Sequence, residues 1–465
     1  MNMINVRRLT VMTFLGAGML SSISAQISPL QVDTLKETKI PDQWDLQSCI
    51  DYAKEQNITI RKNRITAVST QIDVKTAKAA LFPSLSFSTG HQVVNRPYQE
   101  TSSRVSGSEI ISSNSKTSYN GNYGLNASWT LYNGNKRLKT IQQEKLNNQM
   151  AELDVATSEN NIQESIAQVY IQILYAAESV KVNENTLQVS IAQRDRGQEL
   201  LNAGSIAKSD LAQLEAQVST DRYQLVTAQA TLEDYKLQLK QLLELDGENE
   251  MNIYLPTLSD ENVLAPLPTK RDVYISALSL RPEIEASKLN VEASELGINI
   301  AKSSYFPTIS LSAGIGTNHT SGSDFTFGEQ VKNGWNNSIG LSVSVPIFNN
   351  RQTKSAVQKA KLQYETSMLS LLDEQKALYK TIESLWLDAN SAQQRYAAAN
   401  EKLKSTQISY ELISEQFNLG MKNTIELLTE KNNLLQAQQE QLQAKYMAIL
   451  NTQLLKFYQG DQLAL

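Results

Sequence analysis

The chain has 465 residues, and its 10 prolines and 19 glycines fall well below the ~5% and ~7% of average proteins, so the composition predicts a largely helical or very regular fold. One cysteine excludes a disulfide framework or a thiolate zinc site, two histidines exclude most imidazole metal centres, and a net charge of −5 argues against a nucleic-acid partner. A hydrophobic content of 41% with a mean hydropathy of −0.35 excludes a polytopic helical membrane protein.

Residues 1–25 have the features of an export signal peptide. Arg7 and Arg8 precede an apolar run that is too short for a stable bilayer span, and small residues close the segment. Cys49 lies too far beyond this end to be the lipid-modified cysteine that directly follows a lipoprotein signal. The sequence therefore predicts an exported protein with an N-terminal extension at 26–43.

An internal duplication organises the rest of the chain. Residues 77–90 and 301–314 are identical at seven of fourteen positions, including a Phe-Pro pair, at an offset of 224. Gly204 and Gly420 recur at an offset of 216. The duplication predicts a first repeat, a connector, a second repeat and a short tail at 44–245, 246–270, 271–458 and 459–465.

Long helices are predicted in both repeats. A helix that begins near Asn135 and ends at a turn at 203–208 would be roughly 100 Å long. After this turn, apolar residues at alternating three- and four-residue spacing form a coiled-coil seam with one polar member, Asp221. The second repeat has a matching turn at 419–424, so each repeat is predicted to contain a helical hairpin.

Four segments alternate apolar residues with small hydroxyl residues, at about 83–98, 119–132, 307–317 and 336–347. Segments of this length and pattern suit transmembrane β-strands, although any one of them would also suit a half-buried strand of a soluble sandwich. The loops 92–118 and 317–335 are then predicted to face outside. The lipid-facing side is predicted to include Leu125, Ala127, Trp129, Leu341, Val343 and Val345.

Four strands cannot close a transmembrane barrel, and open strand edges are not tolerated in lipid. The chain must therefore oligomerise, with each copy lending four strands. A dimer and a trimer both satisfy this requirement, and only the twelve strands of a trimer would leave an open lumen.

The order of these features resembles the TolC family. The segment from Trp44 to Ala53, the duplicated Phe-Pro before a strand, Leu280-Arg-Pro-Glu283 and the glycine-turned hairpins match the family's pattern as far as Tyr458. The resemblance implies an α+β membrane protein: a trimeric, twelve-stranded outer-membrane β-barrel continued by a periplasmic α-helical coiled-coil barrel. It implies a passive export duct for small molecules or proteins, working with a periplasmic adaptor and an inner-membrane transporter in tripartite efflux or type I secretion.

The resemblance also implies a constriction at the closed periplasmic end, where family members have polar and ionic links between helices and a ring of acids. On the glycine-anchored alignment, Asp210 and Lys422 match the linked acid and base, and Glu426 matches one acid of the ring. Phe417 stands where a tyrosine hydroxyl would join the link. Local roles remain open, because Asn423 with Glu426 fits a capping box and Asp210 suits a first helical turn.

Nothing in the sequence indicates enzymatic chemistry. It has no glycine-rich phosphate loop after a strand, no serine elbow and no metal-ligand spacing, so neither a cofactor nor a metal is expected. His91 and His319 are isolated in the sequence and are not expected to be ligands. The competing interpretation is a periplasmic coiled-coil scaffold or adaptor without a membrane barrel, a class that usually has one helical hairpin rather than two.

Overall fold

The computed structural model describes residues 40–98, 102–106, 109–113, 116–246, 251–256, 263–321 and 325–463. The predicted signal peptide and most of the N-terminal extension lie outside the described residues. Among the helices in these ranges, none combines the length and apolar character that a bilayer-crossing helix requires.

The two repeats contain four corresponding helices in the same order, and the second repeat has one additional short helix. The first repeat contains α1 (Leu46–Gln56), α2 (Ile58–Ala79), β1 (Ser84–Asn95), β2 (Ser102–Ser106), β3 (Glu109–Ser113), β4 (Thr117–Asn133), α3 (Lys136–Asn202) and α4 (Lys208–Leu242). The second contains α5 (Lys270–Leu280), α6 (Pro282–Ser303), β5 (Thr308–Thr320), α7 (Phe327–Asn333), β6 (Asn336–Ser344), α8 (Gln352–Asn418) and α9 (Thr424–Gln459). The paired helices α3 and α8 have 67 residues each, and α2 and α6 have 22 each, which confirms the internal duplication.

Several element boundaries differ from those predicted. β6 ends at Ser344, three residues before the predicted end, so Val345 lies beyond the strand. Pro346 explains this, because proline lacks a backbone N–H and restricts the residue before it. The predicted loop 92–118 contains the short antiparallel pair β2–β3, and the predicted loop 317–335 contains the last residues of β5 and the helix α7.

The four long strands form one antiparallel sheet in the order β1-β4-β5-β6, and its register separates two kinds of residue onto two faces. One row across the sheet is apolar and consists of Leu85, Ala127, Ala313 and Ile339. The adjacent row is small and mostly hydroxyl-bearing and consists of Ser84, Ser128, Ser312 and Gly340. Every residue of β6 is exposed, so neither face of this strand is covered by another layer of the chain.

The helices pack side by side in the same order as the strands they adjoin. Next to the sheet the order is α2-α3-α6-α8, which parallels β1-β4-β5-β6. Farther from the sheet the order is α4-α3-α9-α8, because the two hairpins replace the short helices. Each long helix therefore packs on a short helix along one half and on its own hairpin partner along the other.

The largest buried core lies where the start of the first repeat and the connector meet the middle of α3. Trp44 is almost completely buried; its N–H donates to the carbonyl of Asn252 at 2.8 Å, and its own carbonyl accepts from the N–H of Tyr254 at 2.8 Å. Cys49 is fully buried beside it, and burial raises the pKa of its thiol to about 12. This cysteine therefore acts as a small apolar core residue.

The Leu-Arg-Pro-Glu motif fixes the start of the second repeat. Pro282 occupies the first position of α6, where a missing N–H costs nothing. Arg281 is 7% exposed; its guanidinium lies 3.0 Å from the carboxylate of Glu164 on α3 and 2.8 Å from that of Glu283. The same group stacks 4.1 Å from the ring of Tyr458 on α9. The motif thus ties α6 to both repeats.

Candidate constriction at the hairpin turns

The two helical hairpins turn through equivalent glycines. Gly204 and Gly420 have φ angles of 76° and 72°, in the left-handed region that only glycine adopts without strain. The residue after each glycine donates its N–H to the carbonyl five residues earlier, at 2.8 Å for Ser205 and 2.9 Å for Met421. This is the bonding pattern of a Schellman helix end, and it explains why both long helices stop at the same point of the repeat.

Asp210 lies in the first turn of α4 and caps the start of its own helix. Its carboxylate accepts the N–H of Ala207 at 3.0 Å. This bond satisfies one of the free donors at the start of the helix, and the negative charge lies at the positive end of the helix dipole. Within one chain, the structure gives Asp210 a capping role.

Lys422 and Glu426 lie together at the start of α9. The Lys422 Nζ lies 2.5 Å from Glu426 Oε1, and the other oxygen of Glu426 accepts the N–H of Asn423 at 3.2 Å. The Asn423 side chain in turn accepts the N–H of Glu426 at 2.9 Å, which completes a capping box. The hydrogen bond from Lys422 holds the pKa of Glu426 below its ordinary value. Lys422 is therefore bonded to Glu426, and not to Asp210, within the chain.

Phe417 is buried while its neighbours at the second turn are exposed. Its ring is 3% exposed, so the position that matches a tyrosine in the family pattern is occupied by a packed apolar ring. By contrast, Leu419, Met421 and Ile425 are among the exposed large apolar residues of the chain. The end of the second hairpin thus presents apolar side chains around the Lys422–Glu426 pair.

The ionic contact that joins the two hairpins lies deeper, in a cluster that we call the buried triad: Ser190 on α3, Asp221 on α4 and Lys431 on α9. Lys431 forms a salt bridge with Asp221, and Ser190 hydrogen-bonds with both charged groups. All three residues are 2–3% exposed. Burial lowers the pKa of Lys431, and the contact with Asp221 opposes this shift. The triad lies about 16 Å along α4 from Asp210.

The side chain of Gln217 extends the hydrogen-bond network of the buried triad. The amide of Gln217 donates to the second oxygen of Asp221 at 2.9 Å and lies 3.4 Å from the side-chain oxygen of Asn432. The Asp221 carboxylate therefore has partners on both oxygens, as a buried charge requires. The buried triad thus provides a buried ionic contact between the two hairpins of one chain.

Sequence reasoning identified Asp221 only as a polar residue in an apolar seam, and it missed Lys431 and Ser190. A comparison of the two repeats would have marked Asp221 as unusual. At the offset of 216, the position that corresponds to Asp221 in the second repeat is Ala437, which is fully buried. The triad is therefore a departure from the repeat rather than part of it, and it joins α3 and α4 of the first repeat to α9 of the second.

Among the described residues, no group of three or more His, Cys, Asp or Glu side chains is placed to hold a metal ion. The arrangement can instead do what charged and apolar rings do in a channel, which is to set the width and the charge of a passage.

Comparison with known proteins agrees with this geometry. The family model for outer membrane efflux proteins matches residues 49–244 and 273–460. The chain is 24% identical to the outer membrane efflux protein BepC of Brucella suis over 63% of this chain and 61% of BepC. It is 23% identical to the outer membrane protein TolC of Escherichia coli K12 over 61% of this chain and 58% of TolC. The matches thus span less than two thirds of these relatives.

The solved structure of CusC, a protein described as forming a transmembrane channel, has the same fold. It superposes with a TM-score of 0.76 at 19% identity, over 90% of this chain and 92% of CusC. The family match covers both repeats, and the structural match spans 90% of the chain, so the predicted resemblance and fold class are confirmed. This chain belongs to the outer membrane efflux protein family.

Proposed function

We propose that this protein is the outer-membrane duct of a tripartite efflux or secretion system and that it works as a homotrimer. The observation that carries the proposal is the four-stranded sheet, which is apolar on one face and hydroxyl-bearing on the other, and whose edge strand β6 is exposed along its whole length. A soluble scaffold would expose this apolar face to water. In a bilayer the same face contacts lipid, and the serine face lines a lumen.

Trimer formation is supported by the unpaired strands and the exposed apolar helix surfaces at the two edges of the sheet and of the helical layer. β1 and β6 are the outer strands of the sheet, and in lipid each needs a partner. The helices at the same two edges, α2 and α8, carry exposed apolar side chains next to the sheet, among them Ile65, Val68, Ile72, Leu362, Leu369 and Leu372. Pairing β6 of one copy with β1 of the next would cover both kinds of edge, and three copies close a ring of twelve strands.

The constriction is proposed to form between copies. In the hairpin layer, α4 and α8 are the edge helices, so the start of α4 in one copy adjoins the second hairpin of its neighbour. Asp210 of one copy and Lys422 of the next would then link across the interface, as the family pattern implies. Glu426 would contribute one negative charge per copy to the entrance, and Phe417 would support the turn from behind.

The exposed apolar end of the second hairpin is proposed as part of the surface that docks a periplasmic adaptor, which connects the duct to an inner-membrane transporter. Leu419, Met421 and Ile425 provide apolar contact area around the Lys422–Glu426 pair. The duct is passive in this proposal: its residues set passage and docking, and catalysis is left to the transporter.

Mass and conductance together test this function. Light scattering of the detergent-solubilised protein, corrected for bound detergent, should give three copies per particle, and the same particles should conduct ions in planar bilayers. A monodisperse monomer with native circular dichroism, recovered from the soluble periplasmic fraction, would instead establish the scaffold interpretation.

A further inference from the structure

A recess lies between α8 and α9 in the second hairpin, on the side of these helices that faces away from the connector. Its volume is about 550 Å³. Gln393 marks the connector side of α8, because its amide donates to the carbonyls of Val263 and Ala265 at 2.9 and 2.8 Å. Arg395 lines the recess. Two residues correspond to about 200° around a helix, so Arg395 lies on the face of α8 opposite to Gln393.

The internal duplication accounts for the space in this recess. At the offset of 216, Ser391 and Asn451 of the recess correspond to Tyr175 and Tyr235 of the first hairpin. Both tyrosines are partly buried against the largest core. Burial raises the pKa of Tyr175 and the nearby Tyr235 raises it further, so the two rings lie close together. The second hairpin therefore has two small polar side chains where the first has two packed rings.

Two polar side chains of the recess have no hydrogen-bond or ion-pair partner within the described parts of the chain. Asn451 is the first; it is only 6% exposed, and a buried amide without a partner calls for an explanation. Arg395 is the second, and its guanidinium group offers five hydrogen-bond donors. The other basic residue of the recess, Lys402, is bound to Glu440 at 2.7 Å. The recess thus presents one amide and one cation that a ligand can engage.

The charges of the recess are a further departure from the repeat. Along α8, Asp388 precedes Arg395 by two helical turns, which is about 10 Å on the same face. Asp388 accepts a long hydrogen bond from the hydroxyl of Ser384, at 3.5 Å. The Lys402–Glu440 pair lies two turns further on and closes the other end of the recess. At the offset of 216, these four charged residues replace uncharged ones, which are Gln172, Ser179, Thr186 and Gln224.

We propose that the recess binds a short zwitterionic organic molecule with an apolar middle, of the class of an apolar tripeptide. Its amino group would contact Asp388, and its carboxylate would accept a bidentate pair of hydrogen bonds from Arg395. An extended chain spans about 3.3–3.6 Å per residue, so three residues match the ~10 Å between these charges. The Asn451 amide would bond to the peptide backbone, while Ala392 and Met447 would contact the apolar side chain. The volume lies within the ordinary range of small-molecule sites.

The recess belongs to a single chain, whereas its position in the assembly rests on the proposed duct function. Three connectors inside a ring of helices would obstruct the passage, so in an open duct the connectors lie outside. The recess is on the opposite side of α8 and α9 and therefore faces the lumen. It would hold zwitterionic molecules that pass through the duct.

Ligands and variants that each lack one charge test the site. Fluorine NMR would follow the tripeptide Ala-Phe-Ala, with a fluorine on its ring, as it binds the assembled protein in nanodiscs, and empty nanodiscs provide the blank. Arg395→Gln should weaken binding about threefold to tenfold, but it should leave binding of the C-terminally amidated peptide at the parental level. Asp388→Asn should likewise weaken binding of the free tripeptide and not of its N-acetylated form. Lys404→Gln removes a positive charge from the opposite face of α8 and should match the parent.

A filled recess provides a second test. Ser391→Tyr combined with Asn451→Tyr introduces the side chains of the first hairpin and should abolish binding. Heat-modifiable migration on gels would verify that each variant assembles, and the charge variants decide the matter if the filled variant does not. In planar bilayers, the tripeptide should lower the conductance of the parent and leave that of the filled variant unchanged.

The outcomes separate the site from the duct. A parent that does not bind the tripeptide, or equal affinity of the parent and Arg395→Gln for it, would overturn the site. Parental conductance that stays unchanged at saturating tripeptide would overturn the luminal position. A conducting trimer without binding refutes this inference alone, whereas a soluble monomer that binds the tripeptide supports the site and refutes the proposed duct.

Discussion

Removing one charge of the buried triad is expected to loosen the contact between the hairpins. Asp221→Ala would leave Lys431 without its counter-ion at a site that is 3% exposed. Breaking a buried ion pair by removing one partner costs about 3–5 kcal/mol, because an uncompensated charge remains in a low-dielectric site. Lys431→Met should have a similar effect by leaving Asp221 unpaired. Alanine itself fits such a position, since Ala437 occupies the corresponding site of the second repeat and is fully buried.

The double variant separates charge from packing. With Asp221→Ala and Lys431→Met combined, no charge is left buried, and replacement of a buried pair by apolar residues is often neutral or stabilising. The double variant should therefore be more stable than either single variant. An exposed pair provides the matched control: Lys402 and Glu440 lie 2.7 Å apart on α8 and α9 and are 42% exposed each, so Glu440→Gln should cost less than ~1 kcal/mol.

Hydrogen–deuterium exchange of the assembled protein measures the loss of stability at the contact between the hairpins. A loss of 3 kcal/mol corresponds to roughly a 150-fold faster exchange of amides that open with the contact. The faster exchange should appear in α4 and α9 around Asp221 and Lys431 in the single variants, and it should be largely reversed in the double variant. Parental exchange in both single variants, or a double variant as fast as the faster single one, would refute the idea that the pair locks the hairpins.

Three further predictions follow from the sheet and the turns. Arg at Val343 should reduce the amount of assembled protein more than Arg at Ser342 does. The cost per copy should lie below the roughly 2–4 kcal/mol of the bilayer midplane, because Val343 is one residue from the end of β6; equal losses on quantitative gels would contradict the assigned faces. Asp210→Ala and Lys422→Ala should each raise single-channel conductance, with no further gain in the double variant; conductance equal to the parent in all three would leave both residues as local helix-end charges. The pKa of Glu426 is lowered in the folded state, so its capping interaction stabilises the turn at neutral pH and is lost as the pH falls through that lowered pKa. Single-channel conductance should therefore change in this acidic range, and the Glu426→Gln variant should show no such transition.

Local patterns in the sequence were sufficient for the main elements of the fold. The alternation around Leu125 and Leu341 depends only on neighbouring residues, and so do the glycines that end the long helices. The end of β6 was misplaced because the alternating pattern continues through Val345, whereas the backbone stops pairing at the residue before it. A proline two positions further on has more influence on the strand end than the side-chain pattern does.

Contacts between residues that are distant in the sequence cannot be predicted from local patterns. Asp221 was noticeable as a polar residue in an apolar seam, but Lys431 is 210 residues away on another hairpin and has no local feature that marks it. His91 and His319 are isolated in the sequence, and they are neighbours in the sheet only because the register of β4 places Gly121 between them. Such contacts depend on how the repeats pack, and a single sequence does not contain that information in any local pattern.

The equal length of the long helices limits how the helical part of this protein can become longer or shorter. Both α3 and α8 have 67 residues, and their partners α4 and α9 have 35 and 36. An insertion of seven residues would lengthen a helix by about 10 Å and keep its apolar seam in place. If it entered only one hairpin, between the core and the buried triad, it would carry Asp221 or Lys431 past its partner. Any longer or shorter relative that keeps this contact must therefore have gained or lost matching segments in all four helices.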